Sequence, residues 1–329
     1  MADYDNRALE LVEQGKTHRE ISEILSISMK QVNHGIYRAR KALKIHYPDK
    51  RTYTEDDVDN FFSQIVGLQA AAEKLNTRQV KASVIINDDK PIGVVKTGDW
   101  HVGAVGTDYN LLKEDIQKIK ETDGLYAVGA GDYKDNYKPG TPMAGMFEQI
   151  IQPGMQDMVV CSLMEELTEK MLVLVRGCHD SWDKKTGDTD FLETLCAITG
   201  AVNLWHGGEI KLTVGQQPYL WRIRHKYKYT SSLNFENAMR RIMEVQGPSD
   251  VASEAHFHNA YIMDRHTMGE YRVLMRSGSY KVWDEYGQQI AGYKGKPSCP
   301  MVIFYPDRRK MIPVRDMDAG IDILKGLRK

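Results

Sequence analysis

Apolar residues recur at three- and four-residue intervals early in the chain and in short unbroken runs later, which predicts a helical start followed by a strand-rich domain. Leu9, Leu11 and Val12 give a first helix one apolar side, and Gly15 is placed to stop it. Thr17 and Glu20 form a capping box for a second helix carrying Ile21, Ile24 and Leu25, and Ser28 with Gln31 repeats the device for a third. Residues 46–54 are polar and contain Pro48, so they read as a linker. Beyond it, Val58, Phe61, Phe62, Ile65, Val66, Gln69, Ala72 and Leu75 predict an amphipathic helix of about five turns, expected to pack on the domain that follows.

From Val80 onward, β-branched runs at 82–86, 92–95, 125–128 and 172–175 read as buried strands. Helical periodicity at 111–119 and 155–171 lies between them, so strand and helix alternate. After about residue 205 strands and hairpins dominate, at 219–223, 260–263, 271–275 and 301–304, with one helix at 234–245. The expected class is mixed α/β with α+β character, and the expected domains are 1–45, a linker and helix at 46–79, and 80–329.

Lys plus Arg numbers 44 against 45 Asp plus Glu, so charge alone points to neither nucleic acid nor membrane. The four cysteines, Cys161, Cys178, Cys196 and Cys299, have no CxxC spacing, which argues against a zinc ribbon or disulfide framework and favours a reducing cytoplasm. No basic leader opens the chain and no stretch approaches the roughly 20 apolar residues of a membrane span, so neither export nor anchoring is expected.

Five islands concentrate candidate chemistry: Gly98-Asp99-Trp100-His101, Gly131-Asp132-Tyr133-Lys134-Asp135, Gly177-Cys178-His179-Asp180, the lone His225, and His256-Phe257-His258. Several follow apolar runs, and residues just past the carboxyl ends of parallel strands converge on one sheet edge. Asp99 and His101, two apart, are expected on one side of an extended segment, where they grip one ion together, and His256 with His258 repeats the spacing.

The order and spelling of these islands resemble the calcineurin-like metallophosphoesterases, with the match covering about residues 90–260. The resemblance implies a four-layer αββα sandwich and two divalent cations, manganese first, with zinc, iron or magnesium as alternatives. It implies that Asp99, His101 and His258 hold one metal, that Asp132 bridges, and that His225 and His256 complete the second. Asp135 would orient His179, which would protonate the leaving oxygen. Two ions about 3.5–4 Å apart clamp phosphoryl oxygens and activate a water. Cys178 departs from the family, which has a metal-binding asparagine there: either a thiolate joins the second site and favours zinc or iron, or a small buried residue leaves that site weak. Ala255 stands for a usual glycine and Asn136 for a frequent arginine.

The stretch 28–44 has five basic residues and no acidic one. With the second helix it resembles the helix-turn-helix of sigma factors and LuxR-type regulators. That likeness implies DNA as partner, with Lys30, Gln31, Asn33 and His34 meeting base edges and Arg38, Arg40 and Lys41 meeting phosphates. Around His225, residues 221–229 interleave arginine and lysine with aromatics, a pattern that tracks a phosphate backbone or is simply a solvated strand. The leading expectation is a metal-dependent DNA phosphodiesterase. A phosphatase or small-molecule diesterase with a partner-binding helical module, and a DNA-binding assembly protein with a decayed metal site, are the alternatives. A homo-oligomer is left open.

Overall fold

The computed structural model describes residues 4–42, 54–75, 80–187, 189–228, 230–231, 234–267, 269–289 and 299–329. The chain divides into two compact units, Met1–Thr77 and Arg78–Lys329.

The first unit contains α1 (Asp5–Glu13), α2 (His18–Ile24), α3 (Met29–Ala42) and α4 (Glu55–Leu75). Thr17 caps α2, its hydroxyl accepting from Glu20 N–H at 3.3 Å while the Glu20 carboxylate takes Thr17 N–H at 2.8 Å. Ser28 and Gln31 make the same exchange ahead of α3. Ala8, Leu9, Leu11, Ile21, Val32, Ile36 and Ala39 form one small core. Gly35 lets α1 approach, since a methyl group there would stand 3.1 Å from Asp5 Oδ1. Residues 43–53, most of the expected linker and the end of the basic stretch, lie outside the described residues. α4 forms as expected and groups with this first unit, whose small core includes none of Phe61, Phe62, Ile65, Val66 and Leu68.

In chain order the second unit begins β1 (Lys81–Ile86), β2 (Ile92–Thr97), α5 (Tyr109–Glu121), β3 (Leu125–Gly129), α6 (Pro153–Glu165), β4 (Met171–Leu174), α7 (Ser181–Gly187) and α8 (Phe191–Thr199). It continues β5 (Val202–Asn203), β6 (Gly207–Val214), β7 (Gln217–Arg224), α9 (Asn237–Gln246), β8 (Val251–Glu254), β9 (Tyr261–Thr267) and β10 (Glu270–Arg276). It closes with α10 (Glu285–Gln289), β11 (Met301–Phe304), β12 (Met311–Val314) and α11 (Met317–Leu327). Two six-stranded sheets result, ordered β1-β6-β7-β8-β10-β9 and β12-β11-β2-β3-β4-β5.

Strand alternation builds the layers. In β2, Ile92 and Val94 enter the core between the sheets, where Trp221, Ile223 and Phe304 also lie, while Val95 joins a second core with Ile116 of α5, Val160 of α6, Leu195 of α8 and Leu324 of α11. On the far face of the first sheet, Met239 and Met243 of α9 pack on Ala252 and Leu274. Helices, sheet, sheet and helix make four layers. The helix expected to reach Met171 ends at Glu165: Leu167 and Met171 keep apolar spacing and are buried, but Glu169 takes φ 66° and turns the chain into β4. No described helix is long and apolar enough to cross a membrane.

Candidate metal centre

β2, β3 and β4 run parallel as neighbours, so the loops leaving their carboxyl ends meet at one edge. Backbone bonds lace them together: Asp99 N–H donates to Gly131 O at 2.8 Å and His101 N–H to Asp132 O at 3.0 Å. β7 and β8, in the facing sheet, lead directly into His225 and Ala255, joined by Ala255 N–H to His225 O at 2.9 Å. Glycine makes the approach feasible, because a methyl group on Gly177 would lie 2.1 Å from the Asp132 backbone nitrogen.

The geometry of the Asp-x-His pairs differs from the extended segment expected. Nine described non-glycine residues have positive φ, and six of them are here: Asp99, His101, Asp132, Asn136, His256 and His258. Left-handed backbone costs on the order of 1–3 kcal/mol per residue and persists where function holds it. Consequently Asp99 and His101 do converge, by tight turning rather than by strand alternation, whereas His256 and His258 are shared between two clusters.

Those clusters are Asp99, His101 and His258, and Cys178, His225 and His256, each with its donor atoms within 4.8 Å of one another. Asp132 also comes within that distance of Asp99 with His225, and of His101 with His179, and so stands between the two. Its Oδ1 accepts His179 N–H at 2.7 Å and its Oδ2 lies 3.1 Å from His225 Nε2.

The residues fit metal ions on their own chemistry. His225 Nδ1–H donates to Ala130 O at 2.7 Å, His101 Nδ1–H to Asp135 Oδ1 at 3.0 Å, and His179 Nδ1–H to Asp135 O at 2.5 Å. These partners assign the tautomers and turn each Nε2 toward the cluster, the usual support for a metal-binding imidazole. His101 Nε2 and His258 Nε2 face each other at 3.1 Å, with Asp99 Oδ1 3.6 Å from the latter. The two ring nitrogens are at hydrogen-bond distance, and together with the carboxylate they make a donor set that suits a cation. His225 Nε2 is buried and faces Asp132 Oδ2 at 3.1 Å.

Electrostatics agree. Burial pushes the Asp99 carboxyl up to about 7, against the pull of His225, and a cation beside it would favour the ionised form. Burial and neighbouring imidazoles hold His101 and His258 below the ordinary histidine range and bring His256 to about 3, leaving their lone pairs available near neutral pH. Burial would push Asp132 up and His225 down, but each overrides it in the other: Asp132 falls well below the carboxylate range and His225 rises.

One expected role is corrected. Asp135 orients His179 with its backbone carbonyl, because its carboxylate is engaged by His101 and by Lys281 Nζ at 3.2 Å. Asn136, in the frequent arginine's place, donates to His179 O at 2.8 Å and Asp183 Oδ1 at 3.1 Å. Ala255 is buried and not among the residues of positive φ, so its methyl group is accommodated.

Three further residues support the centre, of which Asp180 lies in one of the five islands and Lys281 and Tyr137 in none. Buried Lys281, held protonated by Asp135 and Asp284 against the effect of burial, follows the serine and glycine run after β10, a strand-end signal like the others. The Asp180 carboxylate gathers the N–H groups of Asp132, Tyr133 and Gly177 at 2.7, 3.1 and 2.8 Å. Tyr137 joins Trp182 around His179, at centroid distances of 5.2 and 4.1 Å. Beside the second cluster opens a cavity of ≈ 370 Å³ lined by Cys178, His225, Trp182, Lys184, Lys185 and Lys226. Larger cavities of ≈ 470 and ≈ 660 Å³ contain none of the ligands.

On α3, Lys30, Gln31, Asn33, His34 and Lys41 are exposed and Arg40 is half-buried. Arg38 departs from its expected phosphate role: Nε and Nη2 donate to the buried Asp5 carboxylate at 3.0 and 2.9 Å, tying α3 to α1. Gln31 Oε1 is committed to the Ser28 cap.

No family profile and no curated protein matches the sequence. Among solved structures, zinc-complexed Vps29 from Entamoeba histolytica aligns at 12% identity over 68% of this chain and 99% of its own, with a TM-score of 0.37. The calcineurin-like phosphoesterase YfkN from Bacillus subtilis aligns at 10% identity over 74% and 100%, TM-score 0.32. The sulfate thiohydrolase SoxB from Thermus thermophilus aligns at 8% over 69% and 45%, TM-score 0.31. Likenesses this distant settle neither reaction nor substrate.

Proposed function

We propose that the second unit is a two-metal phosphodiesterase of the calcineurin-like kind and that its substrate is DNA. The observation that carries the reaction is Asp132, held between two three-donor clusters with His179 beside them. Asp99, His101 and His258 would hold one cation, Cys178, His225 and His256 the other, and Asp132 both. Two such ions supply charge to the phosphoryl oxygens and lower the pKa of a water.

The chain's own groups do the positioning. Asp135 O takes the Nδ1 proton of His179, so Nε2 is the nitrogen left to hand a proton to the leaving oxygen. Trp182 and Tyr137 fix that ring in place by contact. Against burial, His101 and then Lys281 keep the Asp135 carboxylate ionised, and that carboxylate sets the tautomer of His101. Asp180 ties the second and third loops into one rigid support.

DNA is favoured by the lysines of the cavity beside the second cluster, which suit a chain of phosphates more than a single ester, and by the basic α3 of the first unit. Lys30, Asn33, His34, Arg40 and Lys41 would face the duplex. The test is a substrate panel with manganese: single- and double-stranded DNA beside a chromogenic phosphodiester. DNA cleavage supports the reading, and turnover of the small ester alone replaces it with a small-molecule diesterase. The exposed apolar residues of α4 favour a second role for the first unit, self-assembly, which sedimentation of a Phe61→Glu, Phe62→Glu variant would detect as a loss of oligomer.

A further inference from the structure

We infer that Cys178 makes the second cluster a soft, thiolate-bearing site that selects zinc, iron or cobalt over magnesium, while Asp99, His101 and His258 form a harder one. This rests on the two-metal reading and adds to it the identity of the ions.

The cysteine is placed, not incidental. Its Sγ lies within 4.8 Å of donor nitrogens of both His225 and His256. His225 is 2% exposed, and its Nε2, 3.1 Å from Asp132 Oδ2, belongs to the same donor cluster as Sγ. The backbone on either side of Cys178 is pinned: Gly177 N–H donates to Asp180 Oδ2 at 2.8 Å and His179 N–H to Asp132 Oδ1 at 2.7 Å. His256 is pinned as well, with its N–H on Asp99 Oδ2 at 3.0 Å and its backbone in the left-handed region. Sulfur therefore faces two committed imidazoles across a gap that neither side can easily close.

Chemistry then decides which ions suit. A thiolate brings a negative charge and a polarisable donor where a carboxamide would bring a neutral oxygen, and thiolate with imidazoles suits zinc, iron or cobalt, whereas magnesium prefers oxygen ligands and water. The other cluster pairs a carboxylate with two imidazoles and lacks sulfur. The remaining cysteines offer no such setting. Cys299 is buried against Tyr280 Oη, Cys196 is pushed up to about 12 by burial, and Cys161 sits on α6.

The test loads the full-length protein with cobalt(II) alone and records ions bound per chain and the near-ultraviolet thiolate-to-cobalt charge-transfer band. The wild type and Cys161→Ser should bind two ions and show the band. Cys178→Ser should lose the band and bind one ion, with its circular dichroism unchanged, and Cys178→Asn should lose the band and narrow, without reversing, the preference of the second site for zinc over magnesium. Two ions without the band in the wild type, or a band that survives in Cys178→Ser, would overturn the inference and leave the two-metal reading standing. A wild type that binds no cobalt at all would overturn both.

Discussion

Replacing Gly177 by alanine strikes the point where the second and third loops touch. The added methyl group would stand 2.0 Å from Asp132 Oδ1 and 2.1 Å from the Asp132 backbone nitrogen, where ordinary contact is 3.4–4 Å. One of the obstructing atoms is backbone, so no rotamer change relieves the clash and the loops must part by more than ~1 Å. Misplacement on that scale costs about 10²-fold in rate, and overpacking costs about 1–3 kcal/mol of stability. Gly177→Ala should therefore melt lower than wild type and lose at least about 10²-fold in kcat/KM on a phosphodiester, together with affinity at the second site. Gly326→Ala is the control: open space surrounds that position in α11, and alanine should stabilise by up to about 0.5–1 kcal/mol. A Gly177→Ala enzyme that melts and turns over like the wild type would refute the packing of these loops.

Other consequences can be measured independently. Burial pushes buried Asp115 up to about 6, against the hydrogen bond from Tyr280 Oη and the charge of Lys118, so the folded chain keeps a proton that the unfolded chain releases near its ordinary 3.8. Stability should then fall by about 3 kcal/mol as pH rises between those values, and Asp115→Asn should remove that component from urea midpoints measured across the window. Replacing Lys184 and Lys185 by glutamine should weaken DNA binding on all sequences and flatten its salt dependence by about one unit of slope for each phosphate no longer neutralised, lowering DNA cleavage more than small-ester turnover. Arg38→Ala should lower the melting temperature of the first unit by leaving Asp5 without its partner, whereas Arg40→Ala and Lys41→Ala should reduce DNA affinity without moving that transition.

The strands that carry the centre are legible in the sequence because unbroken β-branched runs have few alternatives, and the donors are legible because they stand directly after those runs. Several features are not. Aspartate and histidine enter left-handed backbone more often than most side chains but still seldom, so spacing alone makes Asp99, His101, His256 and His258 look extended where the chain in fact turns. The pairing of β1 with β6, far apart in sequence, is set by closure of the inter-sheet core rather than by any local pattern. Lys281 looks like a surface lysine until Asp135 and Asp284 surround it. The apolar spacing of Leu167 and Met171 hides the turn at Glu169, since a buried loop position and a helix face make the same demand for a hydrophobic side chain. Likewise the basic stretch carries no sign that Arg38 is committed to Asp5.

The most direct test of the two-metal account is DNA cleavage by wild type and His179→Ala at saturating manganese, with metal content measured on the same samples. Metal content should be equal and the rate of the variant lower by about 10²–10⁴-fold, the range expected for losing a general acid. Equal rates at equal metal content would contradict the role of His179, and cleavage by neither protein would contradict the assignment of DNA as substrate.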